Sequence, residues 1–237
     1  MSEKFVLLKS DSPRMFDIIA GRYDFLNRLL SLGQDVYWRA RLKGFLPPGE
    51  KLDILDLATG TADVLITLAK HNPHIKRGLG IDPAVNMLKI GRQKIEAAGL
   101  SDKLNLQAGD AQSLPFVEAS FDCISVSFGV RNIPDLRLAL LEMHRVLRKD
   151  GRVLILEFSK PVDPVLKAGH WLYLNTVVPM LGFIFSGNWK AYRYLAQTIG
   201  DFPYGERFCK ILKQFGFTHI EAHPLMGGAA TIYVAQK

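Results

Sequence analysis

The spacing of apolar residues changes period near residue 50. Between 12 and 45 they recur every three or four positions, at Met15, Phe16, Ile19, Tyr23, Leu26 and Leu30. This spacing predicts a helical segment with one apolar face. Ser12 and Pro13 supply its start signals. LPPGEK (46–51) is a linker of turn formers. Beyond it, short apolar runs alternate with helical stretches. Leu52–Ala58, 77–82, Leu104–Ala108, Phe121–Ser127 and Arg152–Phe158 predict strands, and 63–70, 84–98 and 135–149 predict helices. The βαβ rhythm implies an α/β fold with a mostly parallel sheet and helices on both faces. A helix at 206–215 and a closing strand pair, Phe217–Ala222 and Ala230–Ala235, imply an antiparallel last strand.

Residues 161–205 break this rhythm. Their centre, WLYLNTVVPMLGFIF (171–185), is the most apolar stretch in the chain, interrupted by Asn175, Pro179 and Gly182. It is read either as a buried helical pair capping the sheet or as a greasy wall for an apolar ligand, since long insertions in compact domains are often functional. The chain then divides as one domain over 1–237. An N-terminal helical cap (1–50) and a core (51–160) are followed by an apolar helical insertion (161–205) and a closing helix with its strand pair (206–237).

Composition narrows the picture modestly. The 237 residues carry a net charge of +7, spread along the chain. The densest basic clusters, Arg39-Ala40-Arg41-Leu42-Lys43 and Arg145-Val146-Leu147-Arg148-Lys149, read as solvated helix faces rather than a nucleic-acid surface. Two cysteines suit a reduced compartment. The six histidines lack metal-ligand spacing, so no metal is expected. No run of about 20 apolar residues spans a bilayer, and the N-terminus has neither a secretory signal nor a transit peptide. A bacterial cytoplasmic protein is expected, at most peripheral on the inner face of the membrane.

The chemistry concentrates at the predicted strand ends, where open α/β sheets bind ligands. LDILDLATGTAD (52–63) turns around Gly60, with Asp56 just upstream. It has too few glycines for a dinucleotide pyrophosphate, and its acid suits an ammonium or sulfonium group better than a phosphate. Asp82 ends the second strand, where a carboxylate accepts from ribose hydroxyls. Asp110 follows the third, placed to accept from an adenine amino group. An isolated strand-end Asp is usually a helix cap. Acids at three successive strand ends resemble instead the class I methyltransferase pattern, whose Rossmann-like sheet binds S-adenosyl-L-methionine.

Two further stretches, YDFLNRLLSLGQDVYW (23–38) and RVLRKDGRVLILEFS (145–159), resemble the signatures of the ubiquinone/menaquinone biosynthesis C-methyltransferases. SFGVRNIPD (127–135), RYL (193–195) and DFP (201–203) fit the same family. The resemblance runs from about residue 13 to the C-terminus. Departures are Asp35 where the family usually carries His, Arg148-Lys149-Asp150-Gly151 for K-P-G-G, and Ala62 for a common Gly. The resemblance implies cofactor contacts at Thr61, Asp82, Asp110, Ala111 and Ser127, to which the loop argument adds Asp56 and Gly60. It implies C-methylation of a prenylated quinol, with demethylmenaquinol to menaquinol favoured by ATGTAD and DFP and the ubiquinone-pathway benzoquinol as the alternative. Some members form homodimers.

Methylating an aromatic carbon requires raising its nucleophilicity, which loss of a ring hydroxyl proton achieves. A free phenol has a pKa of about 10, so the site must favour the anion. Arg131, past the fourth strand, is expected to stabilise that charge, with Asn132 orienting the ring and Tyr23 closing over it to relay the proton. An ion pair of Arg131 with Asp135 is the bland alternative. Leu181 and Phe185 are expected to contact the prenyl tail, with Lys167, Lys190 and Arg193 facing anionic head groups. A nucleic-acid or protein N-methyltransferase would carry Pro-Pro-aromatic where this chain has SFGVRN.

Overall fold

The computed structural model describes residues 9–180 and 189–237; Leu181 and Phe185 lie outside that set, as do the side chains of Lys190 and Arg193. Seven strands form one sheet: β1 (Leu52–Leu57), β2 (Ile75–Asp82), β3 (Leu104–Ala108), β4 (Phe121–Ser127), β5 (Leu147–Phe158), β6 (Thr218–Leu225) and β7 (Ala230–Gln236). Their spatial order is β3-β2-β1-β4-β5-β7-β6. The first five are parallel, and β7 runs antiparallel to both β5 and β6.

The central strands are buried on both faces, so their side chains alternate between two cores. Ile54, Cys123, Leu154 and Ile232 face one layer; Leu55, Leu57, Ile124, Val126, Ile155 and Tyr233 face the other. Helices α2 (Gln34–Arg41), α3 (Asp63–His71) and α4 (Val85–Ala97) cover the first layer through Trp38, Leu65, Leu68, Leu88 and Ile95. Helices α5 (Leu136–Val146) and α8 (Glu206–Gln214) cover the second through Leu140, Met143, Phe208 and Leu212. Each such large side chain, fully buried, contributes about 1.5–3 kcal/mol.

The N-terminal segment is not one helix but two. α1 (Ser12–Leu30) stops where Leu32 (φ 53°) and Gly33 (φ 78°) enter the left-handed region, and Gly33 N–H donates to the Arg28 carbonyl at 2.7 Å. Glycine adopts this conformation without a Cβ penalty. α1 then lies along α4: Asn86 N–H donates to Asp17 Oδ1 at 2.8 Å, and Lys94 Nζ pairs with Asp24 Oδ2 at 2.8 Å.

The insertion begins with α6 (Pro164–Leu172), which runs on into a π-helical stretch at Tyr173–Val177, and it ends with α7 (Trp189–Asp201). α6, which leads into the apolar stretch 171–185, has no buried residue. The inner wall comes from further along, where Val178 and Tyr194 pack with Met15 and Leu26 of α1, and Tyr173 Oη donates to the Leu30 carbonyl at 2.9 Å. Among the described residues no helix is long and apolar enough to cross a membrane.

Candidate active site

The β1 loop is a strained turn. Ala58 (φ 51°), Gly60 (φ 55°) and Ala62 (φ 65°) all sit in the left-handed region, which costs a non-glycine residue roughly 1–2 kcal/mol. The loop is pinned by acids. Asp56 accepts from the Thr59 and Ser125 hydroxyls, each at 2.6 Å, and Asp82 accepts from Gly60 N–H and Ala84 N–H, each at 2.8 Å. Burial pushes both carboxyls up to about 6, although these donors pull the other way.

A cavity of about 370 Å³ opens at the carboxyl ends of β1 to β4, lined by Gly60, Asp82, Gly109, Asp110, Ala111 and Ser127 among others. Asp82 uses both oxygens on backbone donors, but an ionised carboxylate has about four acceptor positions, so it retains capacity toward the cavity. Asp110 is exposed at the rim, where it holds Gln112 through both the backbone and side-chain N–H groups at 2.9 and 2.8 Å.

A second cavity, about 210 Å³ and largely apolar, lies beneath α1 and the insertion. Its walls include Met15, Ile19, Leu26, Trp38, Tyr173 and Val178. Phe16, Tyr23, Phe128 and Asn132 line both cavities and so form the partition between them. Phe128 holds its place in a left-handed conformation (φ 56°), its ring 4.5 Å from that of Phe158 and 6.0 Å from that of Trp38. Gly129 next to it is obligatory, because a Cβ there would run into the Ala58 methyl.

Arg131 faces the apolar cavity, and the bland alternative, an ion pair with Asp135, is not what the structure shows. Its Nη1 donates to Glu157 Oε1 and to the Phe128 carbonyl, each at 2.6 Å, and Glu157 is fully buried. Asp135 instead caps α5, accepting from Arg137 N–H and Leu138 N–H. Arg131 Nε, Asn132 Oδ1, Ser127 Oγ and Trp38 Nε1 are buried without a partner among the described residues. All four belong to residues lining one cavity or the other. Buried polar atoms are normally paired, so this cluster marks a place for a ligand. Burial raises the Tyr23 hydroxyl above its ordinary value, which keeps it protonated and able to donate.

The structure thus brings Gly60, Asp82, Asp110, Ala111 and Ser127 around one cavity and Arg131 beside the other, with Tyr23 and Asn132 lining both. Asp56 and Thr61 sit apart, behind the turn. The Thr61 hydroxyl donates to Asp24 Oδ1 at 2.7 Å and therefore ties the loop to α1. Sequence reasoning missed Arg39, which is buried rather than solvated and pairs with Asp35 at 2.5 Å. Arg41 and Lys43 of the same cluster are exposed, as expected. It also missed Glu157 and Phe128. An acid inside the apolar run VLILEF was the available signal for Glu157.

Comparisons with known proteins agree with this architecture. The model of the ubiE/COQ5 methyltransferase family matches residues 7–237. A ubiquinone/menaquinone biosynthesis C-methyltransferase UbiE from Geotalea uraniireducens is 40% identical over 223 residues, covering 94% of each chain. A demethylmenaquinone methyltransferase from Bacteroides fragilis is 40% identical over 224 residues, covering 94% of this chain and 91% of its own. Among solved structures, a SAM-dependent methyltransferase from Thermotoga maritima superposes with a TM-score of 0.63 at 17% identity, covering 94% of this chain and 99% of its own. One from Aquifex aeolicus gives 0.55 at 17% identity, covering 82% and 86%. These two show the fold alone.

Proposed function

The chain belongs to the ubiE/COQ5 methyltransferase family, and from that membership we propose that it methylates a ring carbon of a prenylated quinol with S-adenosyl-L-methionine as donor. Demethylmenaquinol is the preferred acceptor and a benzoquinol the second. The observation that carries this reading is the pair of cavities meeting at Phe16, Tyr23, Phe128 and Asn132, one edged by carboxylates and the other apolar.

When bound, S-adenosylmethionine supplies an electrophilic methyl group. Asp82 accepts from the ribose, Asp110 and Ala111 border the base, and Ser127 Oγ offers its free capacity near the partition. On the acceptor side, Arg131 Nε–H donates to the ring oxygen and stabilises its anion as a hydrogen-bond donor, since Glu157 already balances the guanidinium charge. Asn132 Oδ1 and the protonated Tyr23 hydroxyl orient the ring, and the apolar walls exclude water, which strengthens these contacts. The prenyl tail leaves past Leu174 and Val178 toward a mouth edged by Leu32 and Met226, which line the cavity and are 78% and 58% exposed.

That mouth opens beside the exposed apolar residues of α6, which rest on the interface of a bilayer and make the protein peripheral. A homodimer burying the same face is the competing arrangement, and it would appear as a doubled mass in light scattering. The test of function is methyl transfer to naphthoquinol and benzoquinol acceptors, with product regiochemistry by NMR. The expected result is a single C-methyl product, formed faster from the naphthoquinol. O-methylation would overturn the proposal.

A further inference from the structure

Tyr194, in the RYL stretch of α7, lines the apolar cavity and is 6% exposed. Its ring packs with Met15, Leu26 and Val178, but its Oη is buried with no hydrogen-bond partner among the described residues. A buried tyrosine ordinarily brings its hydroxyl to a partner, and leaving it unpaired in an apolar wall is costly. Burial raises the group above its ordinary value, so it stays protonated and able to donate. Arg131 and Ser12 pull the other way, which places both nearby, yet the hydroxyl completes no hydrogen bond with either. Other polar groups of the same wall are already committed. Tyr173 Oη donates to the Leu30 carbonyl, and Asp35 accepts from Ser31 Oγ and from Arg39. Tyr194 Oη is available to a ligand.

The chemistry of the acceptor says which group that hydroxyl meets. A naphthoquinol has two adjacent carbons open on its hydroxylated ring, so the tail-bearing carbon neighbours the one that receives the methyl. Each of these carbons is flanked by one of the two hydroxyls. The hydroxyl beside the reacting carbon belongs to Arg131 and Asn132. The second lies beside the tail, and therefore toward the wall along which the tail departs. That wall is Leu174 and Val178, and Tyr194 packs in the same cluster. We propose that Tyr194 Oη hydrogen-bonds the distal hydroxyl of the acceptor, and so selects rings with two para hydroxyls over simple phenols. Trp38 Nε1 is unpaired too, but its ring stands against Phe128 on the partition, which is the reacting side. The distal hydroxyl is meta to the reacting carbon and adds little electron density there, so Tyr194 acts on binding rather than on the methyl transfer. This inference rests on the quinol reading above.

The test uses Tyr194→Phe, which keeps the packing ring and removes the hydroxyl alone. The acceptors are a short-tailed 1,4-naphthoquinol, kept reduced under nitrogen, and the matching 1-naphthol that lacks the distal hydroxyl. The quinol-to-naphthol ratio of kcat/KM should fall by about 3- to 10-fold in the variant, the range for one neutral hydrogen bond. Taking that ratio in both proteins cancels the intrinsic reactivities of the two rings. The loss should fall on the quinol, with the 1-naphthol and the affinity for S-adenosylhomocysteine close to wild type. Equal losses on both acceptors would make Tyr194 a packing residue and overturn the proposal, as would a ratio that the variant leaves intact. If Tyr194→Phe fails to fold, wild type still decides through the inhibition constants of the two C-methylated products, whose reacting carbon is blocked. Stronger inhibition by the quinol product is expected, and equal inhibition ends the assignment. Methylation of neither ring would strike the quinol reading itself, and this assignment with it.

Discussion

The two cavities share one edge of the sheet but are built differently. The cofactor cavity is walled by backbone turns and acids within a few residues of a strand end: Gly60 after β1, Asp82 at the end of β2, Asp110 after β3 and Ser127 at the end of β4. Parallel register fixes these positions relative to one another. The acceptor cavity has Phe128, Arg131, Asn132 and Phe158 at the ends of β4 and β5 on one side, and side chains from α1, α2, the insertion and the β6–β7 turn on the other. Only helix packing and a few polar contacts, such as Asp24 with Lys94 and Thr61, hold those segments in place. The first cavity inherits the rigidity of the sheet, whereas the second is an assembly that perturbation can separate from it.

The sharpest attempt to break this comparison is Arg131, which lines the apolar cavity but is anchored in the sheet through Glu157. Arg131→Ala leaves Glu157 fully buried and unpaired, and breaking a buried pair costs about 3–5 kcal/mol. The loss should appear in chemical unfolding. Arg131→Met with Glu157→Leu should restore most stability, yet turnover should stay about 100-fold or more below wild type because the donor is gone. A double variant with normal turnover would remove Arg131 from the chemistry. Next in size is Asp82→Ala, expected to weaken cofactor binding by about 2–3 kcal/mol while leaving binding of a quinol analogue unchanged. Unchanged affinity in calorimetry would rule out the ribose assignment.

The same contrast explains what could be read from sequence. Strand-end acids are legible because a short apolar run fixes where a strand stops, and the next residues must lie at the sheet edge. Arg39 and Asp35 were not legible, because helical period says which face a residue takes but not which distant turn that face meets. Arg131 stands out by its place after β4, but the acid that pairs with it does not. Asp135 is near in sequence, whereas Glu157 becomes adjacent only through the pairing of β4 with β5. The break in the N-terminal helix had a signal in Gly33, but one glycine inside an apolar periodicity weighs little against it. α6 reads as apolar, and nothing in its pattern says whether protein or solvent covers it.

A smaller effect distinguishes the cavities by pH. Asp56 and Asp82 titrate near 6 when folded against 3.8 for the free side chain. Because folding raises these values, the groups add stability that is complete below about 4 and lost as pH rises through 6. Cofactor binding runs the other way, since protonated Asp82 loses acceptor capacity. Without ligand, the part of the stability set by these two groups should grow between pH 7 and pH 5, while cofactor affinity falls by up to tenfold per pH unit below about 6. Calorimetry across that range, with thermal melts of the free protein, checks both signs. A flat affinity profile would remove Asp82 from the contact.

The smallest effect tests where the acceptor enters. α6 exposes Val165 (79%), Leu166 (52%), Trp171 (65%) and Leu172 (55%) and buries nothing. Single scattered apolar residues would need no explanation, but four on one short helix form a patch. They adjoin the mouth at Met226, because Leu166 reaches the turn at Gly227. Lys167, exposed on the same helix, adds about 1 kcal/mol toward anionic lipid. Replacing Val165 and Trp171 with Ser removes apolar surface without touching the cavity lining. Binding to anionic vesicles should weaken by roughly 1–2 kcal/mol, and methylation of a long-tailed quinol in those vesicles should slow in proportion. A tail-less, water-soluble quinol should react as before, because neither residue lines the chamber. Equal losses on both acceptors would make α6 part of the fold. Normal vesicle binding would move the membrane contact to another face.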